Sequence, residues 1–182
     1  MRCWGSNDRG ELGDGTSLER LTYVEVGGLP ASATAVASAY SHTCALLDTG
    51  AVWCWGTTQF GNVGDGTFDA FPEPFEVVPA GSGVVAVSGG ALHTCALLDT
   101  GGVECWGDDA RFQLGVVPRT IYVSPVSVPD LAGIVDLAAG SEHTCAVSAS
   151  RGLSCWGLDD HGQATGDFHG YPHPVSCRPG PP

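Results

Sequence analysis

The chain has 182 residues, with seven lysine and arginine residues against twenty aspartate and glutamate residues, and its formal net charge is −13. A field of that sign repels phosphate backbones and anionic membrane surfaces, so we expect no nucleic-acid partner and no membrane insertion. No apolar run approaches the roughly 20 residues of a membrane helix, and the first residues lack the basic and apolar segments of a signal peptide. A chain of this length can form one domain that buries roughly 70% of its unfolded surface.

Predicted strands follow one another in a repeating unit. The segments VVAVS, HTCALLD, GAVWCWG and PFEVV each predict one strand, and the intervening DTG has turn chemistry. A glycine-rich segment such as GNVGDGT joins the third strand to the fourth. Two markers recur at a period of 50 or 51 residues, CWG and HTCA, beginning at Cys3, Cys54, Cys105 and Cys155 and at His42, His93 and His143. Four short strands per unit, joined by glycine-rich turns, are typical of a β-propeller blade.

The chain begins inside a unit, with a third and a fourth strand. We therefore predict an all-β fold of about three and a half four-stranded blades, forming a single partial propeller domain over residues 1–182. The predicted boundaries are a half blade at residues 1–31, full repeats at 32–80, 81–131 and 132–178, and a tail at 179–182. We expect Met1 to be a start within a longer domain or the product of a truncated gene.

The cysteine spacing predicts one disulfide in each full blade. If each hairpin turns about its DTG or equivalent segment, two cysteines face each other on antiparallel strands, at a Cα separation of ~4.5 to 5.5 Å that permits a disulfide. The predicted pairs are Cys44 with Cys54, Cys95 with Cys105, and Cys145 with Cys155. Cys3 and Cys177 fall outside these pairs, and they could bond to each other or to another molecule.

Two alternatives to the disulfides stay open. The cysteines could be buried free thiols that pack as small hydrophobic side chains. A zinc site of His42, Cys44 and Cys54 is the other alternative, although it lacks the close cysteine pairs of structural zinc sites. Disulfides persist outside the reducing cytosol, so the paired reading predicts an extracellular, periplasmic or cell-surface protein.

The markers HTCALLDTGAVWCWG, GNVGDGT and PFEVVP together resemble the regulator of chromosome condensation repeat family, over essentially the whole chain. The resemblance implies a β-propeller of about seven blades, of which this chain would form a part. The nearest form is the bacterial, cysteine-paired version of the repeat. Family members act in guanine nucleotide exchange on a small GTPase, chromatin docking, light sensing and β-lactamase inhibition, and the fold does not choose among these activities.

Several family activities lack their residues here. No insertion stands where the exchange factor has its protruding hairpin, and the acidic chain lacks the basic tails of chromatin docking. Light sensing needs a dense tryptophan cluster, whereas Trp4, Trp55, Trp106 and Trp156 occur once per blade at one repeat position, which is typical of blade packing.

Catalytic and metal sites are not predicted. His42, His93 and His143 recur in every full blade, which favours a structural hydrogen bond over catalysis. Aspartates in DTG and GDGT are explained by turn chemistry. Metal-ligand residue types gather only near the C-terminus, without a recognisable ligand spacing, at Asp159, Asp160, His161, Asp167, His169 and His173. We therefore predict no enzyme activity, no cofactor and no metal.

Aromatic residues between the third and fourth strands are the best candidates for a partner surface, because these segments differ most among the copies and aromatic side chains are good interface anchors. They are Phe60, Phe68, Phe71, Phe112, Tyr122, Phe168 and Tyr171. The predicted function is an exported protein- or ligand-recognition module whose partner is another protein. The alternative is guanine nucleotide exchange or regulation of a small GTPase. Open blade edges also predict self-association.

Overall fold

The structure, a computed structural model, describes residues 1–69, 71–150 and 152–163 and the backbone of residues 173–175. These residues form short strands and turns. The strands are β1 (Arg2–Gly5), β2 (Arg20–Glu25), β3 (Ala33–Ser38), β4 (His42–Leu47), β5 (Val52–Gly56), β6 (Phe71–Val78), β7 (Val84–Gly89), β8 (His93–Leu98), β9 (Val103–Asp108), β10 (Ile121–Ser127), β11 (Ile134–Ala139), β12 (His143–Ser148), β13 (Leu153–Gly157) and β14 (His173–Val175). No helix in the described residues is long and apolar enough to cross a membrane.

The strands form consecutive antiparallel sheets. Three sheets have four strands each, in the orders β3-β4-β5-β6, β7-β8-β9-β10 and β11-β12-β13-β14, and β1 pairs with β2 in a two-stranded sheet. Each four-stranded sheet is therefore a meander of sequence neighbours, as short glycine turns favour. The predicted all-β fold of three full blades and a leading half blade is confirmed.

The hydrophobic core lies between neighbouring blades. The first strands of successive full blades contact one another, β3 with β7 and β7 with β11. One buried cluster joins Val63 and Val78 of one blade to Val84, Ala96 and Trp106 of the next. Each sheet thus buries one face against its neighbour, which is how stacked repeats form a continuous core.

A hydrogen-bonded chain across the boundary between the first two full blades gives His, Thr and Trp of the repeat a structural role. His42 Nε2 lies 2.7 Å from Thr94 Oγ1 in the following blade. That hydroxyl donates to the Asn62 carbonyl at 3.0 Å, and Trp106 Nε1 donates to the same carbonyl at 3.1 Å. The prediction of a structural histidine is confirmed at His42, and His93 makes the equivalent contact with Thr144 Oγ1 at 3.0 Å.

The hairpin register is the one that the cysteine spacing predicts. Cys44 lies opposite Cys54, and the same register recurs in the next two blades. The Sγ atoms lie at disulfide distance in all three pairs, 2.13, 2.13 and 2.04 Å, with Cα atoms 4.1 Å apart. Cys3 is half-buried and unpaired in the described residues, whereas Cys177 lies outside them.

Trp4 differs from the other tryptophans of its repeat position. Trp55, Trp106 and Trp156 are at most 2% exposed, whereas Trp4 is 68% exposed. The prediction that all four pack between blades is therefore wrong for Trp4. The reason is structural, because Trp55 packs beneath a preceding blade and donates to the Glu11 carbonyl at 2.8 Å, whereas no such element covers Trp4 among the described residues.

Candidate partner-binding links

The segments that join the third strand of each blade to the fourth leave their sheets at the same end, so the described parts of these segments lie on one face of the stack. We call them link 1 (6–19), link 2 (57–70), link 3 (109–120) and link 4 (158–172). Links 1 and 3 are described in full, link 2 except for residue 70, and link 4 only up to residue 163. The face that they form is the link face.

Link 1 is held by its own polar side chains. Asn7 is fully buried, accepts from the Leu12 amide at 2.9 Å, and donates to the carbonyls of Thr16 and Leu18 at 3.0 and 3.1 Å. Burial opposes ionisation of Asp14, but hydrogen bonds from Thr16 and Arg20 outweigh it and lower the pKa of this carboxyl to about 2. The loop is therefore rigid, because its polar side chains are hydrogen-bonded within the loop and to Arg20.

Link 2 has a similar internal hydrogen-bond network, with Thr58 at the repeat position of Asn7. The single hydroxyl proton of Thr58 is shared between Asp65 Oδ1 and the Thr67 carbonyl, which lie 3.4 and 3.3 Å from Oγ1. The Thr67 hydroxyl donates to Asp65 Oδ2, and the Asn62 side-chain amide donates to the Thr57 carbonyl at 2.7 Å. The aspartates of GDGT thus have turn roles, as the sequence predicts.

Link 3 departs from that design. Asp109 takes the place of Asn7 and Thr58, and Val116 takes the place of the turn aspartates Asp14 and Asp65. The Leu114 amide donates to Asp109 Oδ1 at 2.9 Å, whereas the buried Oδ2 has no hydrogen-bond partner in the described residues. Burial, with help from neighbouring Asp108, raises the pKa of Asp109 to about 7 against opposing contributions from the Leu114 amide and Arg119.

Phe112 adds a backbone outlier to link 3. It has φ 62°, in the left-handed region, where the other copies have glycine. That conformation costs a residue with a Cβ roughly 1 to 2 kcal/mol relative to a right-handed one. Strain retained by a large side chain is more common at functional sites than elsewhere.

The predicted aromatic residues differ in placement and in exposure. Phe60 and Phe112 are half-buried within links 2 and 3, and Phe68 in link 2 is 59% exposed. Phe71 and Tyr122 lie in strands β6 and β10 instead of the links, which corrects their predicted placement. Phe168 and Tyr171 lie outside the described residues.

The structure identifies exposed apolar side chains on the links that the sequence analysis missed. Leu18 in link 1 is 61% exposed and Val117 in link 3 is 53% exposed, so with Phe68 each of the first three links presents one large apolar side chain. These residues stand at different repeat positions, and two are aliphatic. A search for aromatic residues therefore could not find the pattern.

Candidate metal ligands do not converge in the described part of the chain. No group of three histidine, cysteine or acidic side chains is placed to hold an ion there. His161 Nδ1 lies 2.7 Å from Asp160 Oδ1, with both side chains largely exposed. Asp167 and His169 lie outside the described residues, and His173 is described by its backbone alone.

Comparison with known proteins identifies the repeat. Profiles of the regulator of chromosome condensation (RCC1) repeat match residues 49–97 and 100–147, and a second profile of this repeat matches residues 33–62, 84–113 and 134–163. The chain is 33% identical over 138 residues to the human E3 ubiquitin-protein ligase HERC2, covering 70% of this chain and 3% of that protein. It is 32% identical over 118 residues to the Arabidopsis thaliana ultraviolet-B receptor UVR8, covering 64% of this chain and 27% of that protein.

Among solved structures, Prp20p from Saccharomyces cerevisiae is similar over 97% of this chain, with a TM-score of 0.83 and 25% sequence identity. The chain covers 46% of Prp20p, so it spans less than half the length of each of these three proteins. The relatives include a receptor and a ligase, so the repeat occurs in proteins of different activity.

Proposed function

Since the chain belongs to the regulator of chromosome condensation repeat family, we propose that it is a non-enzymatic module that binds another protein through its link face. The observation that carries this proposal is the exposed apolar side chain on each of links 1, 2 and 3, namely Leu18, Phe68 and Val117. Exposed apolar groups on a surface of otherwise polar loops are typical of protein interfaces.

The scaffold beneath the links supports this function. Links 1 and 2 are held by internal hydrogen bonds, and buried contacts such as that between His42 and Thr94 join neighbouring blades. A rigid base lowers the entropy lost on binding, because little of the surface must be ordered at that moment. Variable loops on such a base are where a repeat scaffold places its specificity.

The properties of relatives point to a protein partner. Prp20p has been characterised for binding to Gsp1p and histones, and yeast RCC1 (Prp20) has been crystallised bound to Kap60. Guanine nucleotide exchange or regulation of a small GTPase, which the family resemblance raises, is the second candidate. It requires an intracellular location, in contrast to the exported module that we favour.

The redox state of the cysteines separates the two candidates. We propose that the pairs 44 with 54, 95 with 105 and 145 with 155 are disulfides in the native protein, and that the protein is exported. Intact mass with and without alkylation, followed by peptide mapping of protein from its native host, tests this directly. Freely alkylated thiols at these six positions would remove the argument for export and favour the intracellular regulator.

Binding through the link face is tested by capture from extracts of the native host. Wild-type protein, a variant with Leu18→Ser, Phe68→Ser and Val117→Ser, and a control with Val85→Ser and Val135→Ser are compared after chemical cross-linking. Val85 and Val135 are similarly exposed, at 53% and 57%, but lie in the first strands β7 and β11. We expect one cross-linked species with wild type and control that is lost with the link variant. Equal capture by all three proteins would contradict the proposal.

A further inference from the structure

Link 3 has a local charge opposite to that of the chain. All seven basic residues are arginines, and two of them, Arg111 and Arg119, lie within link 3. The only acidic residue in the link is Asp109, which is fully buried. Links 1 and 2 are instead acidic, so link 3 is the cationic member of the three in a chain whose net charge is −13.

Neither arginine of link 3 forms a salt bridge in the described part of the chain. Arg2 and Arg20 do form ion pairs, with Glu25 and Asp14 at 2.7 and 2.8 Å. Asp108, which immediately precedes the link, instead accepts hydrogen bonds from the Ala110 amide and the Gln113 side-chain amide. Arg111 and Arg119 are both exposed residues, which leaves them accessible to an incoming anion.

The side chain of Arg119 is positioned for that role. Its Cζ lies 5.1 Å from the centroid of the Phe112 ring. A guanidinium over an aromatic ring still has N–H donors at its edge, and those donors match a carboxylate in a two-bond arrangement. Phe112 therefore acts as a platform for Arg119, and this use accounts for a large residue at a left-handed position.

Apolar surface adjoins these charges. Val117, 53% exposed, stands where links 1 and 2 have Gly15 and Gly66, and the neighbouring Val116 replaces a turn aspartate. Link 3 therefore lacks the turn carboxylate that could form a salt bridge with an arginine, as Asp14 does with Arg20. The substitutions leave a cation beside an exposed aliphatic side chain.

We propose that link 3 binds an acidic segment of a protein partner, with a carboxylate held by Arg119, a second negative charge near Arg111 and an aliphatic side chain against Val117. This inference rests on the proposed function and specifies the chemistry of the segment bound. The overall charge of −13 disfavours a nucleic acid, whose charge extends well beyond the link.

The probe is a fluorescein-labelled peptide of alternating glutamate and leucine, titrated with the full chain and followed by fluorescence anisotropy. A peptide with glutamine in place of glutamate and a single-stranded oligonucleotide of similar length are compared with it. We expect the acidic peptide to bind best. Arg119→Gln should weaken its binding roughly tenfold or more, since hydrogen bonds to charged groups contribute ~1.5 to 3 kcal/mol. The affinity of Arg119→Lys for the acidic peptide should lie between those of the wild type and Arg119→Gln, because lysine keeps the charge but loses the planar edge.

Arg2→Gln is the matched control, because Arg2 also stacks on an aromatic ring, that of Tyr23 at 4.4 Å, but is paired with Glu25. We expect it to bind the peptide like the wild type. Equal binding by Arg119→Gln, equal binding of the glutamine peptide, no measurable binding of the acidic peptide, or preference for the oligonucleotide would each overturn the inference. Cross-linked capture that survives Arg119→Gln but is lost with the triple link variant would refute this inference and leave the proposed function standing.

Discussion

His93 is a buried histidine whose tautomer is fixed by its neighbours. The Thr144 hydroxyl donates its proton to the Gln113 carbonyl at 2.8 Å, so His93 Nε2 must donate to that hydroxyl. Nδ1 is then unprotonated, and it has no hydrogen-bond partner in the described residues. Burial, with a smaller contribution from His143, lowers the pKa of His93 to about 4. Protonation would bury a charged and unpaired N–H at Nδ1, so the folded state favours the neutral imidazole.

This preference predicts an acid-labile fold. The folded-state pKa of His42 and His93, about 3 and about 4, lies below the usual value of 6.5, so the unfolded chain binds more protons in that window. We expect the free energy of unfolding contributed by these residues to be complete above pH 6.5 and to fall as pH decreases toward 4. Urea unfolding between pH 4 and 7 measures it. His93→Gln should flatten the profile, whereas His143→Gln, at a half-buried site without a side-chain hydrogen bond in the described residues, should change the slope less.

The raised pKa of Asp109 leads to a pH dependence of the free energy of unfolding with the opposite sign. Its folded-state pKa of about 7 lies above the usual 3.8, so the folded chain binds more protons between these values, and the free energy of unfolding falls as pH rises through this window. Asn7 shows that an amide fits the equivalent position, donating to two carbonyls. We therefore expect Asp109→Asn to raise the thermal midpoint at pH 7 to 8 and to change it little at pH 4. A variant less stable than wild type at pH 8 would show that the orphaned oxygen is not destabilising.

At the scale of the strand pair, the glycine of CWG permits a close approach. Gly56 has φ +109°, and a Cβ there would lie 2.6 Å from the Ser41 carbonyl oxygen and 2.8 Å from His42 Cα. Gly5 has a similar φ, +114°, but nothing lies within 4 Å of its Cβ position. An alanine at Gly5 would therefore suffer only from the positive φ, whereas an alanine at Gly56 would also clash with neighbouring atoms.

We expect Gly56→Ala to lower the free energy of unfolding by several kcal/mol more than Gly5→Ala, because only the first adds a clash with backbone atoms that cannot shift freely. Chemical denaturation of both variants at one pH measures the difference. Equal losses would mean that positive φ alone explains the glycine, and that strands β4 and β5 can separate to admit a methyl group.

Strand pairing could be read from the sequence, whereas loop conformation could not. A two-residue alternation and a shared turn fix which residues face each other, so the opposition of Cys44 and Cys54 followed from counting. The conformation of the links depends on contacts with the next blade and on residues that differ in a single copy, such as Asp109 and Phe112. A pattern shared by all copies does not contain this information. Phe71 was likewise placed in a link because its strand, β6, begins earlier than the Pro/Val segment indicates.

At the scale of the whole molecule, burial is shared between blades, so a residue's environment depends on its position in the stack. Trp4 and Trp55 occupy one repeat position, but only Trp55 is covered by a preceding blade. Beside Trp4 lies an open cavity of about 410 Å³, lined also by Cys3, Val36 and Tyr40. Sequence identity between copies could not reveal this difference, because it arises from the neighbour and not from the residue.

The exposed surface around β1 and β2 predicts self-association of the 182-residue chain. Trp4, Leu21, Tyr23 and Val36 are between 54% and 92% exposed, and edge strands with such side chains favour pairing between molecules. We expect sedimentation velocity to show concentration-dependent association, with Trp4 becoming less accessible to iodide quenching as concentration rises. Trp4→Ser combined with Leu21→Ser should lower the association constant at least tenfold, while Phe68→Ser, at a comparably exposed site on the link face, should not change it. Association lost with Phe68→Ser but retained without Trp4 and Leu21 would place the contact on the link face, where it would compete with the proposed partner.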